Sequence, residues 1–220
     1  MAIRLYLSSQ GLGEESASLR PTSDETHQAL IVVNALDPYP MARQYALPQE
    51  MTQLAALGYH CSELDLRDYF QLATDPHQHN QGKETRLAEL LAGSNLIWVA
   101  GGNTFVLARA MQQSQLKTAL LAAADLAHHT ITYGGYSAGA AVIGPDLQGI
   151  HLMDDPKVLP DQYDPNTEAI ALNLVSERII PHYRSQSDDS ANADRAVAYL
   201  EKARLKFRTL RDGEVWLTNC

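Results

Sequence analysis

Only two cysteines, Cys61 and Cys220, occur in the 220 residues, and they lie far apart. That scarcity excludes a disulfide framework and makes a reducing cytoplasm the expected compartment. Positive charge is also sparse. Seventeen lysines and arginines against 26 acidic residues leave a formal net charge of −9, with a pI near 5.3, and the basic residues are scattered along the chain. Such a chain lacks the electrostatic footprint of a nucleic-acid or anionic-membrane binder, so neither is an expected partner. There is no run of 18 apolar residues to span a bilayer as a helix. The apolar run in MAIRLYLSSQGLGEES is too short for a signal peptide and reads as a first strand. Internal repeats and low-complexity tracts are absent as well.

Hydrophobic residues make up 45% of the chain and charged residues 20%, ordinary values for a globular protein. A chain of this length buries about 70% or more of its unfolded surface, so residues 1–220 are expected to form a single α/β domain without a metal or disulfide staple. Strand and helix patterns alternate. Strands are expected over Ile3 to Ser8, Ala29 to Leu36, Tyr59 to Leu66, Asn95 to Ala100, Thr130 to Tyr133 and Arg178 to His182, with a strand, turn and second strand over Phe207 to Thr218. Helical spacing covers Met41 to Gly58, with Pro48 in an early turn or kink, then Lys83 to Ala92, Phe105 to Gln112, Gln115 to Ala127 and Ala191 to Arg204. The alternation predicts an open, mostly parallel sheet with helices on both faces. Residues 144 to 173 contain four prolines and read as a loop that shapes a site.

The most informative stretch is TITYGGYSAGAAVI, residues 130 to 143. A short strand meets two glycines, then a serine, then a run of small residues fit to open a helix. Gly135 to Gly139 match GxSxG, the nucleophile elbow, in which small neighbours let a strained turn lift the serine hydroxyl clear of the backbone. The helix that follows is expected to aim its free N–H groups and positive dipole end at the serine.

Serine needs a base, normally a histidine oriented by a carboxylate. Of eight histidines, His182 leaves a predicted strand in IIPH, at the sheet edge where Ser137 also emerges; His151 in the irregular loop is the rival. His77 and His79 share a polar loop, but no ligands of metal-site spacing accompany them, so no metal or cofactor is expected. For the third member, Asp212 in the TLRDGEVW turn competes with Asp154 and Asp155 in MDDP, and the Asp212–Gly213 pair also reads as a plain hairpin turn. The loop of Gly101, Gly102, Asn103 and Thr104 follows a strand and is able to bring a backbone N–H to an oxyanion, together with the N–H of Ala138. It lacks the lysine of a phosphate loop. Asn103, Thr104, Tyr136 and Arg184, each near one of these groups in the chain, are the expected substrate-binding residues. An α/β-hydrolase esterase would place its acid between serine and histidine, a position that Asp154, Asp155, Asp161 and Asp164 occupy.

Three segments, AGGNTF (100–105), YGGYSAGA (133–140) and IIPHY (179–183), together resemble the peptidase E family of serine peptidases, relatives of the cyanophycinases. The resemblance implies a fold like the class I glutamine amidotransferases, with Ser137 as nucleophile, His182 as base, and Gly102 with Ala138 as oxyanion donors. LRDGEVW (210–216) is similar to the segment that carries a glutamate as the family's third catalytic member, and here Asp212 stands in that place. Members that cleave after an N-terminal aspartate hold its carboxylate with an arginine downstream of the histidine. In this chain only Arg184 and Arg195 are nearby. The relatives continue beyond the position of Cys220, which reads as a shortened C-terminus. The expected partner is a small peptide substrate hydrolysed without a cofactor, with the chain acting as a monomer or homodimer; a degenerate, peptide-binding member is the non-enzymatic alternative.

Overall fold

Alternation along the strands sorts their side chains onto two faces. In β1 (Arg4–Ser8) Leu5 and Leu7 join one core and Tyr6 the other. β2 (His27–Val32) divides Leu30 and Val32 from Ala29 and Ile31, and β4 (Leu96–Val99) divides Ile97 and Val99 from Leu96 and Trp98. A strand whose side chains are apolar on both sides must be covered on both sides. α1 (Pro40–Leu57) covers the smaller core through Leu54, whereas α2 (Asn80–Ala92), α3 (Thr104–Gln113), α4 (Leu116–Leu126) and α6 (Ser190–Lys202) cover the larger one. With β3 (Tyr59–Glu63), β5 (Thr132–Tyr136) and β8 (Val215–Asn219), the main sheet has the order β3-β2-β4-β5-β1-β8. Every pairing in it is parallel except β1 with β8. These features come from a computed structural model that describes residues 3–23, 25–71 and 80–220. His77 and His79 lie outside the described residues.

Several expected boundaries shift for identifiable reasons. The strand expected over Ala29 to Leu36 ends at Val32, and Asn34–Leu36 form a 3-10 turn. Buried Asn34 is responsible: its side chain accepts from the Leu66 N–H and donates to Asp37 and Asp65, which pins the chain into a turn. The strand expected over Tyr59 to Leu66 likewise stops at Glu63, because Asp65 caps a second 3-10 turn at Leu66–Tyr69 by accepting from the Arg67 N–H. Pro48 sits inside α1, not in its first turn. The missing bond falls on the exposed side at Gln44, where water can take the carbonyl. Gly58, at φ 108°, closes that helix.

The largest correction concerns the C-terminal third. Arg178–Ile180 form β6, which is not part of the main sheet, and Phe207–Thr209 form β7; the two pair in parallel as a separate two-stranded sheet. Phe207 to Thr218 is therefore not a hairpin. α6 links β6 to β7, and a helical crossover returns the chain parallel to the strand it left. The chain then turns through Asp212 and Gly213, and β8 pairs with the open edge of β1 instead of with β7.

Residues 144–173 remain irregular apart from a 3-10 turn at Ile150–Leu152, yet they are tied down. Arg109 donates to the carbonyls of Pro156 and Val158, the Tyr163 hydroxyl donates to Asp37, and the Leu172 N–H donates to the Val142 carbonyl. Among the described residues no helix is long and apolar enough to cross a membrane.

Candidate active site

β1, β4 and β5 are neighbours in parallel, so the chain leaves all three at one edge. Ser9 and Ser137 follow β1 and β5 directly, and Gly101 follows β4 after Ala100. Ser137 adopts φ 50° and ψ −113°, a region a non-glycine residue enters at a cost of about 1–3 kcal/mol. Its N–H is shared between the carbonyls of Ser8 and Ser9, which holds the turn against β1. The glycines of the motif answer to space. A Cβ on Gly139 would stand 2.2 Å from the Val99 carbonyl oxygen, and one on Gly135 would stand 2.7 Å from the Gly139 oxygen. The one-turn helix after the serine, α5 (Ala138–Ala141), therefore presses onto β4 and β5 with backbone against backbone. At four residues it is too short for the helix dipole expected from the sequence, and what it offers the serine is the individual N–H of Ala138.

His182 and Asp212 arrive from the second sheet. His182 lies two residues beyond β6, at φ 60°, and its N–H donates to Ser9 Oγ at 2.7 Å. Its Nε2 stands 3.0 Å from Ser137 Oγ and its Nδ1 2.8 Å from Asp212 Oδ1. Ser9 Oγ donates to that same Asp212 oxygen at 2.8 Å, and Ser185 Oγ accepts from the Asp212 N–H at 2.8 Å. Hydroxyl, imidazole and carboxylate thus form one hydrogen-bonded line. The imidazole is 9% exposed, so its orientation is held by packing as well as by bonds.

Asp154 and Asp155 are engaged elsewhere. Asp154 accepts from the Thr104 N–H at 2.9 Å and from the Thr104 hydroxyl at 2.6 Å, while the Asp155 carboxylate accepts from the Lys157 N–H. Burial pushes the Asp154 carboxyl above its ordinary value; the Thr104 bonds oppose this and the nearby Asp189 carboxylate adds to it. His151 is exposed and rings against Tyr199.

A cleft of about 140 Å³ opens beside Ser137 and His182, bordered by Gly102, Thr104 and Ala138. Among the described residues no backbone carbonyl takes the N–H of Gly102 or of Ala138. Gly102, at φ 140°, packs so tightly that a Cβ would meet the Ala35 carbonyl oxygen at 2.5 Å. Of the four residues expected to bind substrate, only Thr104 borders this cleft. Asn103 is buried as the cap of α3, accepting from the N–H groups of Phe105 and Val106 and donating to the Asp155 carbonyl. The Tyr136 hydroxyl donates to buried Glu50, which also accepts from the Trp98 indole, on the other face of the sheet. Burial raises the carboxyl of Glu50 and the hydroxyl of Tyr136 alike. Arg184 lies over the Tyr183 ring and borders a separate cleft with Arg211 and Asp212.

Three residues of the site were not singled out in the sequence: Ser9, Ser185 and Asp189, the last bordering the cleft. Ser9 carries a usable signal, since it follows β1 as Gly101 follows β4. Ser185 and Asp189 carry none, for they are ordinary loop residues until β6 and β7 place them.

The model of peptidase family S51 matches residues 52–217. An uncharacterized peptidase of Listeria innocua is 33% identical over 132 residues, covering 60% of this chain and 54% of that protein. Peptidase E of Actinobacillus pleuropneumoniae is 30% identical over 123 residues, covering 56% of this chain and 47% of that protein. The matches thus span about half the length of these curated relatives. In three dimensions, the crystal structure of a Listeria monocytogenes protein provisionally assigned to peptidase E superposes over 100% of both chains, with a TM-score of 0.69 at 20% identity; at that identity it speaks for the fold alone. On the family match, which covers most of the chain and includes the elbow, the histidine and the aspartate, this protein belongs to peptidase family S51.

Proposed function

We propose that the protein is a serine peptidase that hydrolyses small peptides through an acyl-enzyme. The observation that carries this reading is the unbroken line from Ser137 Oγ through the His182 imidazole to Asp212, with links of 3.0 and 2.8 Å. In the first half-reaction Ser137 Oγ attacks the peptide carbonyl carbon while its proton passes to His182 Nε2. The carbonyl oxygen gains negative charge, and the N–H groups of Gly102 and Ala138 receive it; one such donor is typically worth about 3 kcal/mol of barrier. The C–N bond then breaks, and His182 gives its proton to the leaving amine. In the second half, water adds to the ester as its proton moves to His182, and His182 passes that proton to Ser137 Oγ as the C–O bond breaks to release the acid. Asp212 holds Nδ1 of the imidazole and stabilises the imidazolium.

The α/β-hydrolase reading is disfavoured by chain order, since the carboxylate that meets His182 follows it in sequence. Aspartyl specificity gains no support, because among the described residues neither lysine nor arginine borders the cleft. The compartment we propose is the cytoplasm, on two free and widely separated cysteines. Replacing Ser137 with alanine is expected to lower dipeptide turnover about a million-fold. Turnover at the wild-type rate in that variant, measured on a dipeptide library, would exclude the mechanism.

A further inference from the structure

α1 buries two residues, Leu54 and Glu50. Leu54 fills the smaller core. Glu50 is 4% exposed, and a carboxylate taken out of water costs free energy that an apolar side chain in its place would not. Two neutral donors satisfy it: the Trp98 indole gives its N–H to Oε2 at 2.7 Å, and the Tyr136 hydroxyl donates to Oε1 at 2.9 Å. Burial works against its charge and these two bonds favour it. Tyr136 is the residue before the nucleophile. Its ring lies near that of Trp98, with centroids 6.0 Å apart. It also packs on the oxyanion loop, where a Cβ on Gly101 would stand 2.9 Å from Tyr136 Cε2 and 3.1 Å from Ser137 Cβ. One side chain is therefore joined to Ser137 through the backbone, pressed on the residue before Gly102, and fixed at its far end by Glu50.

From this arrangement we infer that Glu50 is a positioning residue for the reaction at Ser137: through the Tyr136 hydroxyl it holds the nucleophile and the Gly101–Gly102 loop in mutual alignment from the other face of the sheet. A serine at φ 50° keeps that conformation only while its surroundings over-determine it. On one side the carbonyls of Ser8 and Ser9 take its N–H. On the other, Glu50 anchors the side chain of the preceding residue. With that anchor gone the Tyr136 ring is released, and Ser137 Oγ and the Gly102 N–H lose their relative placement; a displacement of about 1 Å is enough to cost about a hundredfold in rate. Neither Glu50 nor Tyr136 borders the cleft, so the loss falls on the chemical step and not on binding. The inference rests on the serine-nucleophile reading above and adds to it a residue that never meets the substrate.

The test follows a fluorophosphonate probe, whose phosphoryl oxygen takes the oxyanion position as Ser137 attacks. Its maximal labelling rate, kinact, reads the alignment of nucleophile and oxyanion donors, and its half-saturating concentration, KI, reads binding in the cleft. Both are measured in wild type, Glu50→Gln, Tyr136→Phe and the double variant, with Leu54→Val as a control for lost stability in the same core. Glutamine keeps the shape of Glu50 but offers a single acceptor oxygen, so it cannot accept from Trp98 and Tyr136 together. In Glu50→Gln, kinact is expected to fall about tenfold or more while KI stays within about twofold of wild type. The double variant should be labelled no more slowly than Tyr136→Phe alone, because the carboxylate acts through that hydroxyl. Leu54→Val should lower the urea midpoint and leave kinact unchanged. If Glu50→Gln does not fold, Tyr136→Phe decides the matter by the same two readouts. A wild-type kinact in Glu50→Gln or in Tyr136→Phe, losses that multiply in the double variant, or an equal fall of kinact in Leu54→Val would overturn the inference and leave the peptidase reading standing. No labelling of Ser137 in the wild-type protein would overturn both.

Discussion

The elbow at Ser137 and the arm that carries His182 and Asp212 reach the same hydroxyl by different routes. In the elbow nearly every contact is with residues close in sequence or with the two strands flanking β5: the Ser137 N–H on Ser8 and Ser9, Gly139 on Val99, and the Tyr133 hydroxyl donating to the Gly139 carbonyl. The arm depends on pairings between distant segments. β6 aligns Ile180 with Thr209, and β8 aligns Val215 with Ser8, so the five residues from Leu210 to Glu214 must bridge two sheets. Asp212 is the middle of that bridge. A motif held by local geometry is rigid where it stands, whereas a group delivered by two sheets is only as well placed as both sheets and the serine between them.

That difference yields separable failures. Asp212→Asn should leave the elbow and the fold intact but orient His182 wrongly, lowering kcat about ten-thousand-fold while the urea midpoint stays near that of wild type. A loss of under tenfold would show that the arm does not need its carboxylate. Gly139→Ala attacks the elbow instead. With the added carbon 2.2 Å from the Val99 oxygen, α5 must lift from β4, and a destabilisation of about 3 kcal/mol is expected from overpacking. Unfolding at the wild-type urea midpoint would contradict the backbone contact described here.

Ser9→Ala strikes the place where the two regions meet, because Ser9 Oγ accepts from the His182 N–H and donates to Asp212. Leaving a buried N–H without an acceptor is expected to cost about 2 kcal/mol, with kcat falling as well; a stability loss without any change in kcat would mean that Ser9 supports the fold but not the alignment of the histidine. The smallest effect is at Asp146, whose carboxylate pairs with Arg178 at the start of β6. Partial burial works to raise this carboxyl, but bonds from Arg178 and the Gln148 N–H outweigh it and hold it below the ordinary value. A depressed folded-state value means that the stabilisation is present above about pH 4 and is lost as pH falls below it through the folded value. The Asp146 side chain is 37% exposed and water screens its end of the pair, so Asp146→Asn should cost about 1 kcal/mol or less at neutral pH. The gap in urea midpoint between variant and wild type should close as the pH falls below about 4; a gap independent of pH would rule out the ion pair as its source.

Much of the elbow was legible in the chain because its causes are local. A short strand, two glycines, a serine and small residues state their own geometry, and the steric reasons for Gly135 and Gly139 lie within the elbow and on the neighbouring strand. The Gly102 loop was legible for a similar reason, as a glycine pair directly after an apolar strand. The directions of Asn103 and Tyr136 were not legible because adjacency in sequence says nothing of direction: one side chain turns inward to cap α3, and the other crosses to the opposite face to meet Glu50. The Asp–Gly turn was legible as a turn, but its partners were not, since a strand pattern does not say which open edge it will join.

By itself, then, the order of residues determined the strained serine, the parallel α/β core and the family of the chain, all consequences of short-range periodicity and close packing. Only the tertiary structure decided which carboxylate meets His182, that Ser9 ties the imidazole to the elbow, and which residues border the cleft. Those outcomes depend on β8 choosing β1 over β7 and on β6 standing apart from the main sheet, and long-range pairing of this kind is settled by the competition among edges in the folded molecule.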